Sequence, residues 1–340
     1  MPGVRRWRRF GHASGPQAPV SHAAGAPVRV AGGTIAAIHI RSDMRPTPVS
    51  RPTPVSEVPL SAAQRAAFAV PLRAAPIVQS ANGALAADAV SSVIETGSTQ
   101  TDLLSLVRVR QPQGRLLRVA IVQTAGRGRQ GRRWHVAPGA GLQFSLACPL
   151  AQPSVPPALT LAAGVALAEA LGDVAPDVQL KWPNDLLLAQ RKLGGVLAEL
   201  ATDREGLRTL VIGVGINLWI DAAARDAIGQ PAASLVECVA PDRLLALREA
   251  LLGRLAAALA HAVDDCAARG FVPWQARFMR RFALLGQPVQ ILDQGARVAE
   301  GRALGVDGDG RLLIDTGERT LAFAHGDVSL RPAIALTEAP

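Results

Sequence analysis

At 340 residues, 49% apolar and 19% charged, the chain can bury a sizeable core, and its composition is not that of a wholly disordered protein. The net charge of +9 is local: residues 1–60 hold eight arginines against Asp43 and Glu57, and residues 103–168 hold eight arginines and no carboxylate. The rest is net acidic, so a general nucleic-acid-binding surface is excluded, as is a bilayer-spanning run of ~18 apolar residues. Three cysteines (Cys148, Cys238, Cys266) and six histidines are scattered. That argues against a disulfide scaffold or a side-chain metal cluster and fits a cytoplasmic protein.

Residues 1–84 read as a low-complexity, disordered tail. The first 80 residues hold 11 of the 25 prolines, and the hexapeptide Arg45 to Ser50 recurs as Arg51 to Ser56. The Arg5-Arg6-Trp7-Arg8-Arg9 cluster lacks the apolar stretch and cleavage site of an export signal. Initiation at Met44 is a further expectation, which would leave residues 1–43 outside the native protein. From about Val90 the texture is globular. Leu116 to Thr124 and Leu142 to Cys148 predict buried strands, and Leu159 to Leu171 a helix buried on nearly every face. Short strands follow near 178–182, 185–188, 194–200 and 209–214. An amphipathic helix is expected over Asp242 to His261, and another over Val263 to Phe282, broken near Gly270 and Pro273. After Gly286, short alternating runs with glycine turns predict a small all-β module of roughly 45 residues.

Between the first two of these strands, Gly126-Arg-Gly128-Arg-Gln-Gly131 matches the letters GxGxxG. No helix pattern follows it, and the next carboxylate is Glu169, so the dinucleotide-binding requirements fail. What remains is a loop alternating glycine with arginine, suited to closing over a phosphate or carboxylate. An RGG-like nucleic-acid segment has the same composition, and composition alone leaves both readings open. Lysine is scarcer than arginine by far: among 36 basic residues only Lys181 and Lys192 are lysine, eleven positions apart. A compact ammonium and a guanidinium differ in size, hydration and ease of pKa shift, so chemistry can demand one of them.

Five segments then fall in order: Thr96-Gly97-Ser98-Thr99, Gln123 through Arg127, Arg129, Arg132 and Trp134, Lys181-Trp-Pro-Asn184-Asp185, Arg191-Lys192-Leu-Gly-Gly, and Gly213-Val-Gly215-Ile-Asn217. Together they resemble the biotin–protein ligases, also named biotin–[acetyl-CoA carboxylase] ligases, over about residues 90–331. The resemblance implies an α+β fold. Its catalytic domain, here residues 85–282, is a mixed sheet with helices related to class II aminoacyl-tRNA synthetases. An SH3-like barrel at 283–332 and a short tail at 333–340 follow. It implies that biotin and Mg2+-ATP give biotinyl-5′-AMP, and that a lysine of the biotin carboxyl carrier protein of acetyl-CoA carboxylase then takes the biotinyl group.

By position, the resemblance implies that Ser98, Thr99, Gln100, Gln123, Gly128, Gly213 and Gly215 line a biotin pocket. Arg127 and Arg129 would hold the carboxylate and α-phosphate, and Lys192 would neutralise charge at the phosphoryl centre. Arg132, Trp134, Asn184 and Asn217 would serve the nucleotide. Asp185 would meet Mg2+-ATP, act as a base for the lysine, or with Asn184 simply fix the turn. Position 100 departs from the family, which has Asn after Ser-Thr. Residues 1–85 show no helix-turn-helix pattern, so ligase activity without specific DNA binding is expected. The expected protein is a monomer or homodimer with no membrane attachment. The alternatives weighed are a lipoate ligase and, from another class, a nucleic-acid-binding protein using the basic tail and the Arg/Gly loop.

Overall fold

The computed structural model of the chain describes residues 59–151, 158–221, 224–225, 230–293, 296–324 and 328–332. The Arg5–Arg9 cluster, the hexapeptide repeat, Met44 and the tail at 333–340 lie outside the described residues.

Strand alternation organises the central sheet. In β3 (Gly141–Pro149), Leu142, Phe144, Leu146 and Cys148 face one side and join the main core, whereas Gln143, Ser145 and Ala147 face the other. In β7 (Arg208–Asn217), Leu210, Ile212, Val214 and Ile216 likewise join the core, and Val211 packs with Ala147 on the opposite face. These two strands pair antiparallel at the centre of a seven-stranded mixed sheet. Its order is β1-β2-β3-β7-β6-β5-β4, with β1 as Val90–Thr96, β2 as Leu116–Gln123, β4 as Gln179–Lys181, β5 as Asp185–Leu188 and β6 as Arg191–Thr202. Only β1 and β2 run parallel, joined by the crossover helix α3 (Thr99–Val109). β6 and β7 are 12 and 10 residues long, not the short strands expected, because the apolar alternation continues beneath their glycines.

One face of the sheet carries α3, sealed by Leu103, Leu104 and Val107 against Ala147, Ala201 and Val211. The other carries α4 (Leu159–Ala170), buried over almost its whole surface, and α5 (Pro241–Arg269). The helix expected to end at His261 continues to Arg269. Leu259, Ala262, Val263 and Cys266 keep one apolar stripe across the expected boundary, and the chain turns only at Gly270, with φ +68°. Val272–Arg281 forms α6.

The expectation of a disordered tail up to residue 84 is corrected. Residues 59–84 include α1 (Ala62–Phe68) and α2 (Ala74–Ser80). A Ser61–Gln64 capping box starts α1, with reciprocal bonds of 3.1 and 2.9 Å. Phe68, Leu72, Ile77 and Ala81 are buried in the main core. Each large side chain contributes roughly 1.5–3 kcal/mol on burial, which offsets the ordering of an alanine-rich segment. Arg248 of α5 donates to the carbonyls of Phe68 (2.8 Å) and Val70 (3.0 Å), and Glu249 accepts from Arg73. Proline content signals disorder only where no partner surface is available; here α5 supplies one.

Beyond α6, β8 (Pro288–Asp293), β9 (Ala296–Val306), β10 (Leu312–Asp315), β11 (Thr320–Phe323) and β12 (Val328–Pro332) form a small antiparallel sheet ordered β11-β10-β9-β8-β12. The buried indole of Trp182 donates to the Gly310 carbonyl at 3.1 Å, tying the β9–β10 turn to the strand bearing Lys181.

Candidate active site

The face of the sheet that carries α3 opens, beyond the start of that helix, into a cavity of about 490 Å³. Its floor is set by alternation: Ser145 from β3, Gly213 and Gly215 from β7, and Gly195 and Leu197 from β6 all line it. Side chains at 213 and 215 would fill the space. A Cβ on Gly215 would lie 2.4 Å from the Trp134 ring, and one on Gly213 would lie 2.7 Å from Gln100 Oε1. Backbone alone permits this approach.

A buried polar network crosses the floor. Ser98 caps α3, and Ser98, Thr99 and Gln100 are all almost fully buried. Gln123 Oε1 accepts from the Thr99 amide (2.8 Å) and hydroxyl (3.1 Å), and Gln123 Nε2 donates to Gln143 Oε1 at 2.9 Å. The Thr99 and Ser145 hydroxyls meet at 2.9 Å. Gln100 Nε2 donates to Glu199 Oε2 and to the Val211 carbonyl, both at 3.1 Å. Both partners can only accept, so the amide orientation is unambiguous and Oε1 points away from them. That oxygen is buried without a partner, at the wall shared with Gly213. An unpaired buried acceptor costs about 1–3 kcal/mol, which a ligand N–H would recover.

The Arg/Gly loop forms one wall. It doubles back as a hairpin: Gly128 N–H donates to the Arg132 carbonyl (2.7 Å), Trp134 N–H donates to the Gly126 carbonyl (3.0 Å), and Arg127 bridges Arg133. A single 3-10 turn at Arg129–Gly131 takes the place of a dinucleotide-binding helix. Arg127 gives both terminal nitrogens to Glu199 at 3.1 and 3.2 Å, and Arg129 reaches Asn184 Oδ1 at 3.4 Å. Trp134 lies over Gly215 with its indole N–H buried and unpartnered.

Opposite the loop, Lys192 Nζ sits 2.8 Å from Asp185 Oδ1. The register of β5 and β6 shifts by a bulge between Leu186 and Leu187, beside Lys192. The backbone of Lys192 is clamped on its other side: its N–H donates to Pro231 and its carbonyl accepts from Ala233, both at 2.9 Å. Arg191 beside it is held by Glu237, a pair largely withdrawn from solvent. Asp185 is the acidic residue among those lining the cavity, and no group of three or more His, Cys, Asp or Glu side chains among the described residues is placed to hold a metal.

The residues singled out in the sequence therefore meet, with one exception. Ser98, Thr99, Gln100, Gln123, Arg127, Gly128, Arg129, Arg132, Trp134, Asn184, Asp185, Lys192, Gly213 and Gly215 all line the cavity. Asn217 does not. It is buried, and its Nδ2 donates to the carbonyls of Lys192 (3.3 Å) and Ala233 (3.0 Å). Its amide N–H groups thus bond the lysine-bearing strand on one side and the segment at Ala233 on the other. Sequence reasoning missed Gln143, Ser145 and Glu199. The first two were detectable as polar residues at alternate positions of an otherwise apolar strand.

Residues 92–217 match the biotin/lipoate A/B protein ligase family, and residues 284–331 match the biotin protein ligase C-terminal domain. The bifunctional ligase/repressor BirA of Salmonella typhimurium is 32% identical over 73% of this chain and 79% of its own length. The biotin–[acetyl-CoA-carboxylase] ligase of Mycobacterium tuberculosis is 34% identical over 69% of this chain and 86% of its own. Among solved structures, a biotin protein ligase from Aquifex aeolicus in complex with biotin and ATP superposes with a TM-score of 0.58 at 26% identity, covering 72% of this chain and all of that one.

Proposed function

Because the chain belongs to the biotin protein ligases, within the biotin/lipoate A/B protein ligase family, we propose a division of labour among the residues of its cavity for a two-step reaction. The enzyme activates biotin with ATP and transfers the biotinyl group to a carrier-protein lysine. In the first step a biotin carboxylate oxygen attacks the α-phosphorus, and the bond to pyrophosphate breaks. In the second, a lysine nitrogen attacks the acyl carbon, and the bond to AMP breaks.

The ureido ring of biotin carries two N–H donors and a carbonyl acceptor. The orphan Oε1 of Gln100, the hydroxyls of Thr99 and Ser98 and the backbone at Gly213 offer it matching partners. Arg127 and Arg129 face the carboxylate and α-phosphate, where forked guanidinium donors suit both anions. Lys192 offsets charge that grows on the phosphoryl oxygens, and Asp185 aims its ammonium. Trp134 supplies an aromatic face, and Arg132 and Asn184 polar contacts, for the nucleotide. Asp185, the carboxylate that lines the cavity, would be the protein group to hold a Mg2+ ion carried in with ATP, which would screen the phosphate charges. The Arg/Gly hairpin shields the mixed anhydride from water until the amine enters. The acceptor is a biotin carboxyl carrier domain of acetyl-CoA carboxylase, in the cytoplasm, and the catalytic and C-terminal domains divide near residue 283.

The observation that carries this reading is the convergence of Arg127, Arg129, Lys192 and the unpaired Gln100 acceptor on one cavity. ATP-dependent incorporation of labelled biotin into a carrier domain tests it, with lipoate as competitor. Incorporation of lipoate in preference would sink it. Arg129→Gly should let biotinyl-AMP escape and label bystander lysines, read by mass spectrometry of an added unrelated protein.

A further inference from the structure

Lys192 stands near the start of β6, where the sheet by itself holds the chain weakly. The ladder between β6 and β7 ends at Gly194 opposite Ile216, so Lys192 lies beyond the last β7 partner. On the β5 side, Leu186 pairs with Gly194 and Leu187 with Lys192, which leaves Leu193 unpaired. Because of this bulge, Lys192 and Gly195 both line the cavity, although strict alternation puts residues three apart on opposite faces. A bulged strand end with one sheet neighbour needs a second anchor if its side chain is to keep one direction.

Residues 231–237 take the place of the missing neighbour. Ala232 bridges Lys192 in parallel fashion, the Lys192 N–H donates to the Pro231 carbonyl (2.9 Å), and the Lys192 carbonyl accepts from the Ala233 N–H (2.9 Å). Asn217, at the end of β7, fills the corner by donating to the carbonyls of Lys192 (3.3 Å) and Ala233 (3.0 Å). One ion pair fastens this segment. Arg191 donates to both Glu237 oxygens (3.2 and 2.5 Å) and to the Ala232 carbonyl (3.2 Å), and Glu237 accepts from the Ser234 amide (3.0 Å). Each of the two charged side chains is only 12% exposed, and neither lines the cavity.

We infer that Arg191 and Glu237 are positioning residues for Lys192: by fastening residues 231–237 beside the bulged start of β6, they fix the main chain from which the ammonium reaches Asp185 and the cavity. Their effect on rate rests on the reading above that Lys192 acts at the phosphoryl centre. They touch neither vitamin nor nucleotide, and they act through the lysine alone.

Lysine scarcity supplies the readout, because Lys181 and Lys192 are the only lysines in the chain. NMR of the full-length protein carrying isotope-labelled lysine should show two side-chain sets, and Lys192→Arg identifies the one that belongs to Lys192. Glu237→Gln removes a charge but keeps an acceptor for the Ser234 amide; combined with Arg191→Met it leaves no lone ion in a buried place. In both forms, without ligand, the Lys192 ε-methylene signal should move toward that of free lysine while the Lys181 signal stays in place. With biotin and ATP, the double variant should form biotinyl-AMP about tenfold more slowly, inside the roughly 100-fold that a misplacement of about 1 Å can cost. The KM for biotin, and the rate of transfer from added biotinyl-AMP to a carrier domain, should each change by less than about threefold. A Lys192 signal at its wild-type position in both variants would overturn the inference. So would a Lys181 signal that moves as far, or a loss of rate shared equally by the two steps. The ligand-free signal judges Arg191 and Glu237 even if the wild-type protein forms no biotinyl-AMP, an outcome that would instead refute the assigned activity.

Discussion

Lys192 and Gly215 are the two positions where a small change of shape should be most informative. Lys192→Arg preserves charge but replaces a compact ammonium, seated 2.8 Å from Asp185, with a wider planar group. Pyrophosphate release on mixing with biotin and ATP should fall about 100-fold, in line with the loss of one well-placed electrostatic contact at a phosphoryl centre. A near-normal rate would remove the argument from lysine scarcity. Gly215→Ala puts a methyl 2.4 Å from the Trp134 ring, which must swing away. The KM for ATP should rise about fivefold with a smaller effect on biotin, if one aromatic contact worth about 1 kcal/mol is lost. Most of these residues were legible in the sequence because the family motifs are contiguous. Glu199 was not: its partners lie 99 and 72 positions away, and no local pattern links them.

The helices before the central sheet hold a charge that should make their docking depend on pH. The hydrogen bond from Arg73, aided by its charge, keeps the Glu249 carboxyl below the usual carboxylate range, against the opposing effect of burial. A depressed folded-state pKa means the pair contributes above the unfolded value of about 4.3 and is lost as pH falls through the folded one. Arg73 is largely exposed, so solvent screening keeps the contribution small. Protection of the amides of residues 59–84 against hydrogen exchange, relative to their intrinsic rate at each pH, should fall as the pH drops below about 4 in the wild type. Glu249→Gln should show the lower protection already at neutral pH and lose the pH step. An unchanged pH profile in the variant would show that the helices dock by apolar burial alone. The Ser61–Gln64 pair was a readable helix start within a stretch dominated by proline and alanine. What could not be read was α5 as the surface that makes the segment fold.

Across the molecule, one motif serves two purposes. In Lys181-Trp182-Pro183-Asn184-Asp185, the strand pair β4–β5 brings lysine, asparagine and aspartate to the cavity, while the Trp182 indole N–H holds the Gly310 carbonyl of the C-terminal sheet. Gln275 of α6 adds a second tie by donating to the Val306 carbonyl at 2.7 Å. Trp182→Phe keeps most of the buried area but leaves that carbonyl unpaired, which should cost about 1–2 kcal/mol of stability. The urea midpoint should fall accordingly, and a double variant with Gln275→Leu should lower it further. A midpoint unchanged in both would mean the C-terminal sheet docks through other contacts.

Local patterns were enough to establish the strands around Leu116 and Leu142, the buried helix after Leu159 and the terminal β module, and the family motifs pointed to fourteen of the residues that line the cavity. Alternation and contiguous motifs record such things within a few residues of one another. The docking of residues 59–84, the unbroken run of α5 past His261, the withdrawal of Asn217 behind Lys192 and the Gln100–Glu199–Arg127 chain became visible only in three dimensions. Each depends on which distant segment the sheet order β1-β2-β3-β7-β6-β5-β4 brings alongside, and a side chain's partner across that sheet leaves no trace in its own neighbourhood of the chain.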